Sequence, residues 1–356
     1  MKKTLIIIFS LILLFFFSLE ISLRSYLSIK HIKNPHINYW GKTWYRFDHL
    51  KFYKFDENLI SVPTEASYKN VDIPRWKKNS NITINKNGFR ENKNLITEYK
   101  NNKKILVTGG SFVFGRQVSD NETWPSCLER KAKLKVNNGS SPGYSPGQSL
   151  RNALIESNKE KYDYFIWSIF FDDFRRDVNN KFIIKKNDKL YFNKFKEIDK
   201  TKSQINKKKI YHYLKEFSFV AYFFDLKIMN KFNKTQKQIK FESVLGDSTN
   251  YTKEEQIKFL INEFLKIQID KKYILLQYSD QSENSKKSTR DMYNKISKKY
   301  YKSLIDISLK NNIQILDTKT IFMNMSEKDK RLVWFDHHTA YGNLKVCDFI
   351  AEKLNF

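Results

Sequence analysis

The chain is poor in cysteine, with two in 356 residues, Cys127 and Cys347. No Cys/His cluster has the spacing of metal ligands, so no metal site is expected, and nothing points to a cofactor. Each cysteine falls in an expected helix. In a doubly wound sheet the first and last helices can share a face, so a disulfide can form there outside the cytoplasm. Two small buried thiols are the plainer reading. Acidic residues are also few, 38 against 65 Lys and Arg, for a formal charge of +27. That excess would suit nucleic acid, but no helix-turn-helix or RNA-binding motif is present. It is mostly lysine, accompanied by abundant Asn, Ile and Phe. One cluster (Lys207, Lys208, Lys209, Lys234, Lys237 and Lys240) lies in a polar insertion. No nucleic-acid partner is therefore expected. A solvated basic surface is the reading, with contact to an anionic membrane or glycan as the alternative. No internal repeat is visible.

One long stretch carries no charge. Residues 4–19 follow Lys2 and Lys3. A bilayer core of roughly 30 Å takes a helix of about 20 residues, which this run reaches with Ile21 and Leu23, leaving Glu20 and Arg24 near the interface. No small-x-small cleavage site follows, which favours an uncleaved anchor over a cleaved signal sequence. Lys2 and Lys3 place the N-terminus in the cytoplasm and the bulk of the chain outside, periplasmic or extracellular. Arg24, Lys30 and Lys33 pull the other way.

The remainder is long enough for one large core. Residues 1–24 are read as the anchor or signal and 25–80 as an aromatic, polar, membrane-proximal stalk that packs partly onto the main domain, its aromatics placed either there or at the lipid interface. Residues 81–356 are read as the main domain, with an insertion at about 178–250. Strands are expected at 105–108, 134–137, 162–169, 273–278 and 313–317. Helices are expected at 124–132, 147–156, 253–265, 289–309 and from 339 to about 354. Alternation of this kind predicts a parallel sheet covered on both faces. The insertion breaks it. Its apolar stretch, 217–228, is expected to be a helix over the site mouth or the sheet edge, with a lid on acyl chains as the sharper alternative.

Chemistry concentrates at two ends of the domain. The apolar run Ile105, Leu106, Val107 leads through Thr108 into Gly109, Gly110 and Ser111. Glycines let the backbone turn sharply, and a serine at the carboxyl end of such a strand faces the crevice where α/β sheets bind ligands. Near the C-terminus, Asp336, His337 and His338 precede Thr339, a good helix cap. A serine hydroxyl is a poor nucleophile until a base takes its proton, and a histidine with a carboxylate beside it is such a base.

These segments resemble the SGNH (GDSL-type) lipase/acylhydrolase superfamily. The first block, Gly-Asp-Ser-Phe-Thr-Phe-Gly, is similar to Gly109-Gly110-Ser111-Phe112-Val113-Phe114-Gly115. Glu122-Thr123-Trp124-Pro125 and the lead-in Ile84-Asn85-Lys86-Asn87-Gly88-Phe89-Arg90 resemble flanking motifs of bacterial members. The second block falls at 137–144, the third at Phe171-Asp172-Asp173 and the fifth at 336–342. The resemblance covers about residues 80–356. It implies a flavodoxin-like three-layer α/β/α fold with a five-stranded parallel sheet, here preceded by a transmembrane helix. It also implies a serine esterase or acyltransferase.

By the same resemblance Ser111 is the nucleophile, His337 or His338 the base and Asp336 the orienting acid. The helix-cap frame selects His337. The family's acid lies two or three residues before its histidine, where Phe335 and Trp334 stand, and the pair Asp336 and His338 restores a gap. The oxyanion donors are the amides of Ser111 and Gly139, with Gly143 the less favoured second donor. The family's third donor is an asparagine, and Asp172 occupies its place. An ionised aspartate cannot donate, so Asp172 is protonated beside Asp173, or Arg175 or Arg176 moves in, or activity is altered. The expected substrate is an ester of a cell-envelope glycan or lipid, hydrolysed or transferred. The alternative is a catalytically degenerate member that binds envelope polysaccharide.

Overall fold

The computed structural model describes residues 2–33, 52–73, 78–93, 96, 98–197, 241–245, 248–278, 300–333 and 337–356. The chain divides into two compact units, Met1–Lys51 with Val71–Lys78 and Glu197–Lys240, and Phe52–Asn70 with Asn79–Lys196 and Phe241–Phe356. In the first unit a helix, α1 (Lys2–Lys33), carries the uncharged run. Its apolar side chains, among them Phe9, Leu14 and Phe17, are exposed. Among the described residues no helix is long and apolar enough to count as a membrane span. The uncharged run by itself is shorter than the roughly 20 residues a bilayer core takes.

The second unit holds the sheet. Strands β1 (Lys104–Thr108), β2 (Lys135–Asn138), β3 (Tyr164–Phe170), β4 (Lys271–Gln277) and β5 (Gln314–Asp317) lie in the order β5-β4-β3-β1-β2. Every neighbouring pair is parallel, with Val107 opposite both Asn138 and Ile166. This is the sheet that the resemblance implies. Side chains alternate across it, as the two-residue period of a strand requires. Ile105 and Val107 join the core under α3 (Trp124–Ala132) and α7 (Ala340–Leu354). Leu106 joins the opposite core, under α4 (Pro146–Lys159) and α6 (Lys253–Leu265). The result is three layers.

Helix bounds follow from caps. Thr123, Ser145 and Thr252 each accept a hydrogen bond from an amide three residues on, satisfying a donor the first turn leaves open. The two cysteines are not separate thiols, contrary to the plainer expectation. Cys127 on α3 and Cys347 on α7 form a disulfide with Cα atoms 6.0 Å apart, closing a separation of 220 residues. Beside it Asn343 Oδ1 accepts from the Trp124 amide at 3.1 Å, and Lys131 pairs with Asp348 at 2.9 Å.

Two regions carry hairpins that the sequence pattern did not show. Residues expected in the stalk form a hairpin, Tyr53–Asp56 with Ile60–Pro63, and Phe52, Leu59 and Ile60 are buried. Its aromatic and aliphatic side chains are partly core. The insertion opens with a second hairpin, Ile183–Lys186 with Lys189–Phe192. Its turn is Asn187-Asp188, at φ of 49° and 57°, the left-handed pair that a two-residue hairpin turn needs. The helix expected at 217–228 lies outside the described residues, as does the first half of the one expected at 289–309; residues 300–310 are helical.

Candidate active site

Strand β1 delivers the chain to Ser111, the first residue of a short helix, α2 (Ser111–Phe114). Ser111 is 8% exposed, at the carboxyl edge of the sheet. Gly110 has an ordinary backbone, φ −88°, so space decides its identity. A Cβ there would stand 2.8 Å from Asp173 Oδ2. Where the resemblance expects an aspartate at 110, the volume is occupied by the carboxylate of Asp173.

His337 Nε2 lies 2.6 Å from Ser111 Oγ. Its ring packs on Phe112 at 4.8 Å between centroids, and its amide donates to Gln117 Oε1 at 3.2 Å. Thr339 caps α7, its Oγ1 accepting from the Gly342 amide at 3.1 Å. Counted from that cap, the histidine two residues earlier reaches the serine. His338 turns the other way. It is 1% exposed and packs between Phe112 and Phe322. Burial pulls its pKa down to about 3, against a smaller upward pull from the Tyr278 backbone and with a further downward one from His337. It is His337 that meets Ser111 Oγ while His338 is packed between two phenylalanines, which corrects the expectation that His338 could be the base. Asp336, Phe335 and Trp334 lie outside the described residues.

Gly139 is not an oxyanion donor. Its N–H bonds Val107 O at 2.9 Å, continuing the pairing of β1 with β2. The next amides are also occupied: Ser140 donates to Asn138 Oδ1 at 3.2 Å and Ser141 to Gly109 O at 3.1 Å. Gly143, the less favoured candidate, is the one left. It sits at φ +88°, a conformation that favours glycine, with nothing within 4 Å of where a Cβ would be. Among the described residues no acceptor takes the N–H of Gly143 or of Ser111.

Asp172 is not a donor either. Arg175 Nε donates to both its oxygens at 3.0 Å, and Arg175 Nη2 approaches Oδ2 at 2.9 Å. It is an occupied acceptor. The buried acid is its neighbour. Asp173 pairs with Arg176 at 2.8 Å, and burial pushes its pKa up to about 6, opposed by Arg176 and assisted by Asp172. Asp177, on α5 (Phe174–Asn179), is also buried, pushed up to about 7 by burial while its bonds from Ser145, Gly147 and Gln256 pull it down. It braces the start of α4, accepting from the Gly147 amide at 3.2 Å.

Three residues around the site were not singled out as functional by the sequence. Tyr53 donates its hydroxyl to Pro142 O at 2.6 Å, holding the loop that carries Gly143. Arg90 donates to Phe114 O, at the end of α2, and Gln117 accepts from the His337 amide. Arg90 had a signal, the Gly-Phe-Arg of the lead-in motif. Gln117 and Tyr53 had none.

Fold and side chains together define a paired serine and histidine at the carboxyl edge of a doubly wound parallel sheet. No protein-family pattern matches the chain, and no curated protein matches its sequence. Solved structures similar to it include lipolytic proteins of the G-D-S-L family from two bacteria. The one from Desulfitobacterium hafniense is 12% identical with TM-score 0.39, over 70% of this chain and 99% of that one. The one from Veillonella parvula is 12% identical with TM-score 0.42, over 71% and 98%. A catalytic mutant of an acetylxylan esterase from Geobacillus stearothermophilus is 11% identical with TM-score 0.36, over 73% and 96%. At these values the chemistry is judged from the side chains of this chain alone.

Proposed function

We propose that the protein is a serine esterase or acyltransferase acting on an ester of a cell-envelope glycan or lipid. The observation that carries this is the 2.6 Å contact of Ser111 Oγ with His337 Nε2, at the edge of the sheet where such folds bind ligands. Ser111 Oγ attacks the ester carbonyl carbon while His337 Nε2 takes its proton. The carbonyl oxygen becomes an oxyanion held by the amides of Ser111 and Gly143. Collapse breaks the bond to the alcohol, which leaves with the proton from His337, and the acyl group stays on Ser111. Water or a sugar hydroxyl then attacks the acyl-enzyme, giving its proton to His337; the bond to Ser111 Oγ breaks, Ser111 takes the proton back from His337, and the acid or the acylated sugar leaves. Asp336, adjacent in sequence, orients the imidazole and stabilises its charged form in this scheme.

The chain is placed at a membrane in the same proposal, held by α1 with the catalytic unit outside the cytoplasm. The exposed apolar side chains of α1 support this, as does the disulfide, a bond of oxidising compartments. A second reading, polysaccharide binding without turnover, is favoured by one observation. Asp172, in the place of a donor asparagine, is an acceptor held by Arg175. Loss of one such donor costs about 10²–10³ in rate. Turnover of 4-nitrophenyl acetate by the wild type and its loss in Ser111→Ala, with unchanged thermal unfolding, is the result expected of the enzyme. Equal activity in the two proteins would remove that reading.

A further inference from the structure

Gln117 sits in the turn that follows α2, and its Oε1 accepts from the backbone N–H of His337 at 3.2 Å, across 220 residues of chain. Where a turn's backbone is held, the position from which its side chains reach out is held too. This turn is fixed by Arg90, whose side chain is wholly buried. Arg90 Nη1 donates to Phe114 O at 2.9 Å and Gly115 O at 3.1 Å, and Nη2 to Val118 O at 2.8 Å. Its Nε donates to Asp120 Oδ1 at 2.8 Å, and the same oxygen accepts from the Thr83 amide at 2.9 Å. A guanidinium presents its donors in a rigid planar fork, so these carbonyls cannot drift independently.

The acceptors bracket Gln117 on both sides. One of them, Phe114 O, belongs to the last residue of α2, whose first residue is Ser111. Both partners of the serine–histidine contact therefore hang from one buried cation. Ser111 is reached through α2, and His337 through Gln117.

We infer that Gln117 is a positioning residue for His337, carried on a turn that Arg90 fixes. Its chemistry is that of a hydrogen-bond acceptor for the backbone beside the base, with no contact to substrate. The inference rests on the proposed role of His337. A misplacement of about 1 Å at a reacting pair can cost on the order of 10²-fold in rate, so loss of the acceptor should act on kcat and leave binding alone.

The test uses the full chain and 4-nitrophenyl acetate. Gln117→Ala should lower kcat by about 10–100-fold, with KM and thermal unfolding as in the wild type. Gln117→Glu keeps an acceptor oxygen and should recover most of that loss. Arg90→Lys keeps the charge without the fork and should lower kcat as well; where it does not fold, the Gln117 pair decides. Wild-type kcat in Gln117→Ala overturns the inference, and so does an equal loss in Gln117→Ala and Gln117→Glu. If Ser111→Ala proves as active as wild type, the esterase reading fails by itself. The inference is then read from the pH titration of the His337 ring, followed by NMR with labelled histidine and assigned with His337→Gln. An altered His337 curve in Gln117→Ala supports it, and one superimposed on wild type overturns it.

Discussion

His337 and His338 both pack on Phe112, yet they carry the same imidazole into different surroundings. His337 is half-buried, touches Ser111 Oγ at 2.6 Å and has its amide held by Gln117. His338 is buried between Phe112 and Phe322 and does not meet Ser111 Oγ in the way His337 does. The difference is set by neither ring. Thr339 caps α7 and Asn343 Nδ2 donates to His338 O at 3.3 Å, which fixes the backbone just before the helix. The two rings then meet different partners, His337 the Ser111 hydroxyl and His338 the buried ring of Phe322. The lesson is that a cap can choose the base.

The largest expected effect separates the two rings directly. His337→Gln should lower kcat for 4-nitrophenyl acetate by roughly 10³-fold or more, the scale for removing a member of a catalytic unit. His338→Gln should stay within about tenfold of wild type. Equal losses would erase the distinction. Next is the shared support of both rings. The disulfide pins α7 to α3, and a cross-link closing a long loop stabilises by about 2–5 kcal/mol. Reduction, or Cys127→Ala with Cys347→Ala, should lower urea stability by that amount. Unchanged stability on reduction would show that packing of α3 on α7 suffices.

A smaller effect distinguishes His338 by acid. Its folded pKa of about 3 lies below the unfolded value near 6.5. The unfolded chain therefore binds the extra proton first, and stability falls as pH drops below about 6.5. By pH 5 the loss is about 2 kcal/mol. Asp173 and Asp177 work oppositely, since their folded values of about 6 and about 7 lie above the ordinary 3.8. The folded state holds their protons more tightly, so they add stability as pH falls from about 7 toward 4. The difference between wild type and His338→Gln in urea melts at pH 7 and pH 5 isolates the histidine. A pH-independent difference would contradict the buried neutral ring. Smallest is Gly110→Ala. Its methyl would meet Asp173 Oδ2, so kcat should fall by about tenfold, equivalent to about 1.4 kcal/mol, with little change in melting. Wild-type kcat would show that the Asp173 carboxylate can move without cost.

The scaffold was legible because it is written locally. Ile105 to Val107 and the apolar run ending β3 are continuous stretches bounded by turns, and Thr123 and Thr252 announce α3 and α6 to the residue. The serine and the histidine pair were legible for the same reason, from a strand followed by glycines and from a cap. What escaped was decided by pairing across the chain. Gly139 lost its amide to Val107 O, a consequence of β2 lying beside β1 that no single segment contains. Gln117 meets His337 from 220 residues away. Asp172 was the readable exception. Arg175, three residues on, stands one helical turn away, and the arginine proposed as a rescuer of the donor became its captor.

The central claim is that His337 activates Ser111, and covalent labelling by a fluorophosphonate probe, mapped by mass spectrometry, tests it most directly. One adduct is expected, on Ser111, formed by wild type and His338→Gln and abolished in His337→Gln. An adduct that forms at the wild-type rate in His337→Gln, or no adduct on folded wild-type protein, would contradict it.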